Sequence, residues 1–111
     1  MNMKISIKTT NLDLTPALTQ YIEEKIGSVE KFITRFDAKG LVEAHVEVGR
    51  VTRHHHKGNV FRAEVNLRLP RQILRAEDED FDVRAAIDKV KDRLHREVEK
   101  YKELAEKKRE P

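Results

Sequence analysis

Lysines and arginines recur at helical spacing near the end of the chain, at Lys89, Arg93, Arg96, Lys100 and Lys107. Steps of three and four residues return to one side of an α-helix at about 100° per residue, so these cations share a flank. That flank is about 27 Å long at about 1.5 Å per residue, enough to meet several backbone phosphates of a nucleic acid. Arg93, Arg96 and Lys100 fall within about two turns, a spacing that suits neighbouring phosphates of folded RNA. Asp88, Asp92, Glu99, Glu103 and Glu106 line the next flank round. The alternative is a solvated helix dressed with i,i+4 ion pairs, and Asp92 with Arg96 and Glu103 with Lys107 have that spacing. Segregation of the two signs onto separate flanks argues for a polyanion partner. Exposed aromatics suited to base stacking are not expected, because Phe32, Phe61 and Tyr101 take core positions. Recognition of structured RNA by shape and phosphate is therefore expected over single-strand readout.

Other constellations carry less chemistry. Arg53-His54-His55-His56-Lys57-Gly58 reads as a strand-connecting tip, where consecutive histidines cannot easily converge on one metal. A solvated turn or a basic finger approaching phosphates fits better, and such a finger would gain charge below about pH 6.5. His45 stands by itself on an outward strand face. No nucleophile lies beside a base, and neither GxGxxG nor GxxxxGK[ST] occurs. The chain has no cysteine, which excludes thiol chemistry, disulfides and Cys-ligated zinc and suits a reducing cytoplasm. A non-enzymatic binding protein without cofactor or metal is expected.

The 111 residues fit one domain with a single core. Charged residues make up 39% and hydrophobic ones 38%, which points to a thin two-layer fold with a large solvated surface. The formal net charge is only +3, so any polyanion site must come from clustering of charge and not from its excess. No apolar run approaches the ~18 residues of a membrane span, and the N-terminus lacks the apolar core of a signal peptide.

The elements that must position the cations are legible from periodicity. Residues 3–9 alternate as a half-buried strand. Thr15 caps a helix opened by Pro16, which is expected to run to about Phe36 with Leu18, Ile22, Ile26, Val29, Phe32, Ile33 and Phe36 inward. Lys25 projects near the middle of that face, either as a snorkelling lysine or as a cation at the edge of a ligand groove. Strands follow at 41–50 and 60–69, with Glu43 and Glu47 able to pair with Arg62 and Arg68 across an antiparallel ladder. The first two strands, separated by a helix, are expected to be parallel. A short strand is expected at 72–77. The acidic run to Asp80, the candidate N-cap, then leads into a helix ending near Lys108 with Val83, Ile87, Val90, Leu94, Val98 and Tyr101 as its seam. The expected class is α+β, a single four-stranded β-sheet with two roughly parallel helices on one face in βαβββα order. Residues 1–106 form the domain and 107–111 a frayed basic end.

The stretches LTPALTQYIEEKIGSVEKF and EDFDVRAAIDKVKDRLHREVEKYK resemble the two helices of the ribosome hibernation-promoting factor family, which includes the inhibitor called protein Y. The most specific parts are TPAL at Thr15 to Leu18, Glu24-Lys25, VEKF at Val29 to Phe32, AAID at Ala85 to Asp88, and the Arg93, Arg96, Lys100 spacing. The resemblance covers nearly the whole chain. It implies a factor that binds the small ribosomal subunit and its ribosomal RNA at the interface side. There it would occupy the mRNA/tRNA channel and keep ribosomes idle under stress or in stationary phase. It implies Lys25, Arg93, Arg96 and Lys100 as RNA-binding residues, with Lys89 in support. Arg84 stands where the family often has Tyr, Arg71 where Gly commonly follows the proline, and Lys89 and Lys91 where apolar residues are common. The chain resembles the short form of the family, which implies a second factor for ribosome dimerisation. A general double-stranded RNA-binding module is the competing expectation.

Overall fold

The structure, a computed structural model, describes residues 3–33, 42–51, 58 and 60–109, with only the backbone of 105–109. β1 (Met3–Thr10), α1 (Pro16–Gly27), a 3-10 turn (Glu30–Phe32), β2 (Val42–Val51), β3 (Val60–Leu69), β4 (Gln72–Asp80) and α2 (Val83–Arg109) follow in that order. The strands lie in sequence order in one four-stranded mixed sheet. β1 pairs parallel with β2, Ile5 opposite Ala44, and the β2–β3 and β3–β4 ladders are antiparallel. The expected α+β class and βαβββα order are thus present. Met3, Ile5 and Ile7 of β1 face the helices with Val46, Val65, Leu74 and their strand neighbours. Ile22 and Ile26 of α1 and Ile87, Val90, Leu94 and Val98 of α2 close over them, all fully buried.

α1 starts as expected. The Thr15 hydroxyl accepts the Leu18 N–H at 3.1 Å, and Pro16 fills a position whose N–H would have no helical partner. It stops at Gly27, well short of the expected end. Ser28 caps it with its amide on the Glu24 carbonyl at 3.1 Å and its hydroxyl on the Lys25 carbonyl at 2.6 Å. The tighter 3-10 turn that follows keeps Val29 and Ile33 in the core, because its period of about three mimics the helical one. Phe36 lies outside the described residues. Glu30, buried beneath the turn, accepts the Met3 N–H at 3.0 Å and fastens α1 to the start of β1.

β4 is longer than expected and runs to Asp80, so Asp80 is not the helix cap. Asp82 takes that role: its carboxylate accepts the Arg84 N–H at 3.2 Å and its carbonyl accepts the Ala86 N–H at 3.0 Å. The open sheet face also differs in detail. Glu43 faces Arg68 as expected, but Glu47 faces Glu64, and Arg62 pairs with Glu64 at 2.9 Å and with Glu77 of β4.

Candidate nucleic-acid interface

α2 presents three surfaces besides its seam, and the cations predicted as a stripe are distributed over two of them. On the side facing β4, Lys89 Nζ lies 2.8 Å from the Asp80 carboxylate and donates to the Glu79 carbonyl at 3.2 Å. One turn on, Arg93 Nε donates to Asp78 at 2.7 Å. The strand explains both contacts. Leu74 and Ala76 are buried on the inner face of β4, and the period-two alternation carries Asp78 and Asp80 onto the same face beyond the apolar core. Two residues of strand span about 6.6 Å and four of helix about 6 Å, so the rungs match. The bond from Arg93 holds the Asp78 carboxyl below the ordinary aspartate range, and the bond from Lys89 does the same for Asp80. Reciprocally, Asp80 raises Lys89 and Asp78 raises Arg93.

The crest of α2 turns to water. Arg96 is exposed. The Asp92–Arg96 pair expected from spacing does not form, because Asp92 turns to Lys91 at 2.8 Å. That contact lowers the Asp92 pKa. Lys100, 71% exposed, reaches Glu97 only at 3.7 Å. Lys107 continues the helical backbone, and its side chain lies outside the described residues.

The third surface faces α1. Here Asp88 accepts the Tyr21 hydroxyl at 2.6 Å and sits 3.5 Å from Lys25 Nζ. Lys25 and Arg84 lie over the Tyr21 ring at 5.4 and 5.2 Å. The bond to Asp88, aided by burial, pushes the Tyr21 pKa up to about 12. Further along, His95 stacks on Phe32 with centroids 4.2 Å apart. Lys25 is therefore neither a plain snorkelling lysine nor a neighbour of Arg93. Its partner Asp88 is five residues from Arg93, about 140° round the helix.

Sequence reasoning missed Asp78 and Tyr21 and gave Asp80 the role of a helix cap in place of a partner for Lys89. The alternation through Leu74 and Ala76 was the available signal for the two aspartates, obscured by ending the strand at residue 77 and reading Asp80 as a helix cap. It also missed Phe81, 62% exposed at the β4–α2 junction, which corrects the expectation that no aromatic lies at the surface. The His54–His56 stretch lies outside the described residues. Among the described residues no group of His, Asp or Glu is arranged to hold a metal. Among the described residues no helix is long and apolar enough to cross a membrane.

A mixed four-stranded sheet carrying a short and a long helix, with charge concentrated along the long one, defines a class of small βαβββα domains. The chain belongs to the family described as Sigma 54 modulation protein / S30EA ribosomal protein, which matches residues 5–105. It is 36% identical over 100 residues to a ribosome hibernation promotion factor of Staphylococcus aureus (strain COL). It is 34% identical over 102 residues to one of Lactococcus lactis subsp. cremoris (strain MG1363). Each match takes in 90% of this chain and 48% or 50% of the relative, so the chain spans about half their length. The fold matches the Thermus thermophilus Protein Y N-terminal domain with a TM-score of 0.69 and 29% identity, over 91% of this chain and 99% of that one. A ribosomal subunit interface protein from Coxiella burnetii shares the fold with a TM-score of 0.67 at 20% identity, over 92% and 98% of the two chains.

Proposed function

We propose that this chain is a non-catalytic, cytoplasmic ribosome hibernation factor. In this reading it binds the small ribosomal subunit in the mRNA/tRNA channel at the subunit interface and silences translation under stress or in stationary phase. The observation that carries the reading is the match, over 90% of the chain, to relatives named ribosome hibernation promotion factors. The outward cations Arg96 and Lys100 would make the first phosphate contacts, with Arg93 and Lys89 beside them on the β4 side and Lys25 on the α1 side. None of these contacts needs a reacting group, only charge held at helical spacing.

Co-sedimentation with purified small subunits and inhibition of a cell-free translation system test the proposal. Changing Arg93, Arg96 and Lys100 together to Ala should weaken subunit binding without unfolding the domain. The salt dependence should flatten by roughly one unit for each cation that had reached a phosphate. Subunit binding that survives the triple change at moderate salt removes these residues from the interface. Equal affinity for any long RNA duplex would replace the reading by a general double-stranded RNA-binding module.

A further inference from the structure

We propose that Asp78 and Asp80 of β4 are specificity-determining residues: they hold Arg93 and Lys89 against the edge of the sheet and so withhold these cations from generic RNA. The inference rests on the reading of the chain as an RNA-binding factor and deepens it. Both pairs are short, at 2.7 and 2.8 Å, and Lys89 is held a second time by the Glu79 carbonyl. Both cations are nonetheless about half exposed, at 54% and 49%. The carboxylates are more covered, at 23% and 25%, so each pair is anchored on the strand while its cation still faces whatever approaches the flank from outside.

Affinity for generic nucleic acid comes from release of condensed counterions when a cation neutralises a phosphate. An arginine already neutralised by Asp78 must exchange one anion for another. It then leaves the freed carboxylate beside the incoming phosphate, with little net release. A random duplex is therefore read mainly by Arg96 and Lys100. Recruiting Arg93 and Lys89 requires a surface that adds contacts elsewhere on the domain, as a fixed ribosomal site can. The matched rungs lie one helical turn apart, so Asp78 with Arg93 and Asp80 with Lys89 occupy adjacent cations of the same flank, each through its own carboxylate.

The test is binding of an unrelated RNA duplex, with no ribosome present, measured against salt concentration. The proteins are the wild type, Asp78→Asn/Asp80→Asn, Lys89→Gln/Arg93→Gln and the variant with all four changes, each checked for folding by circular dichroism. The Asn pair should steepen the slope of log K against log salt by about two units and raise low-salt affinity at least about tenfold. The Gln pair should keep close to the wild-type slope, and the four changes together should return to it. Asp80→Asn alone, at the end of the strand, should give about half the gain and serves if the double variant is unstable. A wild-type slope in both Asn variants would overturn the inference. So would a gain that persists in the four-change variant, because loss of negative charge at large would then be its cause. Failure of ribosome co-sedimentation would sink the proposed function while leaving this measurement readable.

Discussion

Along the β4 side of α2 the helix supplies the cations and the strand the acids, whereas along the α1 side the helix supplies the acid and its neighbour the cation. The β4 side is a ladder of independent rungs, Lys89 on Asp80 and Arg93 on Asp78. The α1 side converges on one carboxylate, with Tyr21 at 2.6 Å and Lys25 at 3.5 Å from Asp88. A ladder can open one rung at a time to an outside anion. A shared carboxylate fixes two elements against each other, because moving Lys25 or Tyr21 disturbs the other's partner. The β4 side is thus suited to exchange and the α1 side to holding the helices in place.

A buried apolar seam holds the two sides apart, and the largest expected effect comes from breaking it. Leu94 is fully buried between them. Leu94→Ala should cost about 2–5 kcal/mol in urea unfolding, the transfer loss plus a cavity the sheet cannot fill. A cost below about 1 kcal/mol would mean that the helix reseats easily, and the assignment of separate sides would lose its basis.

That seam was legible in the sequence and the contacts across it were not. Val83 to Tyr101 repeat at three and four, and Met3 to Ile7 alternate, because burial imposes the period of each element on its own residues. Local periodicity says nothing about partners. Tyr21 and Asp88 are 67 residues apart and meet only once both helices lie on the sheet. The end of α1 was hidden for another reason: Val29 and Ile33 stay inward through a 3-10 turn whose period differs little from the helical one. Asp78 and Asp80 obey strand alternation, but charge at inward positions normally marks the end of a strand, and here it marks a strand edge that a basic helix covers.

A smaller effect isolates the α1 side. Tyr21→Phe removes the hydroxyl from Asp88 and should cost about 1 kcal/mol, since the pair is only part-buried and Lys25 remains beside the carboxylate. The pH dependence carries a clear sign. The Tyr21 pKa is raised from 10.0 to about 12 in the folded state, so its contribution is full below about pH 10 and declines as pH rises toward 12. Wild-type protein should lose that increment over this window in alkaline unfolding, and Tyr21→Phe should not. Identical alkaline profiles for the two proteins would show that the hydroxyl does not join the helices.

The smallest effect belongs to the ladder and is best read site by site. Asp78 and Asp80 are both depressed below the ordinary aspartate value, chiefly by Arg93 and Lys89 respectively. A depressed carboxylate stabilises the fold above its unfolded pKa, and the contribution is lost as pH falls through the folded one. Carboxyl-carbon NMR titration should therefore find both groups titrating low. Arg93→Gln should return Asp78 toward the ordinary value and shift Asp80 far less, with Lys89→Gln doing the reverse. Such separable responses are what independent rungs require. If either substitution moved both aspartates equally, the β4 side would behave as one coupled cluster like the side around Asp88, and the contrast between exchange and anchorage would fail at its origin.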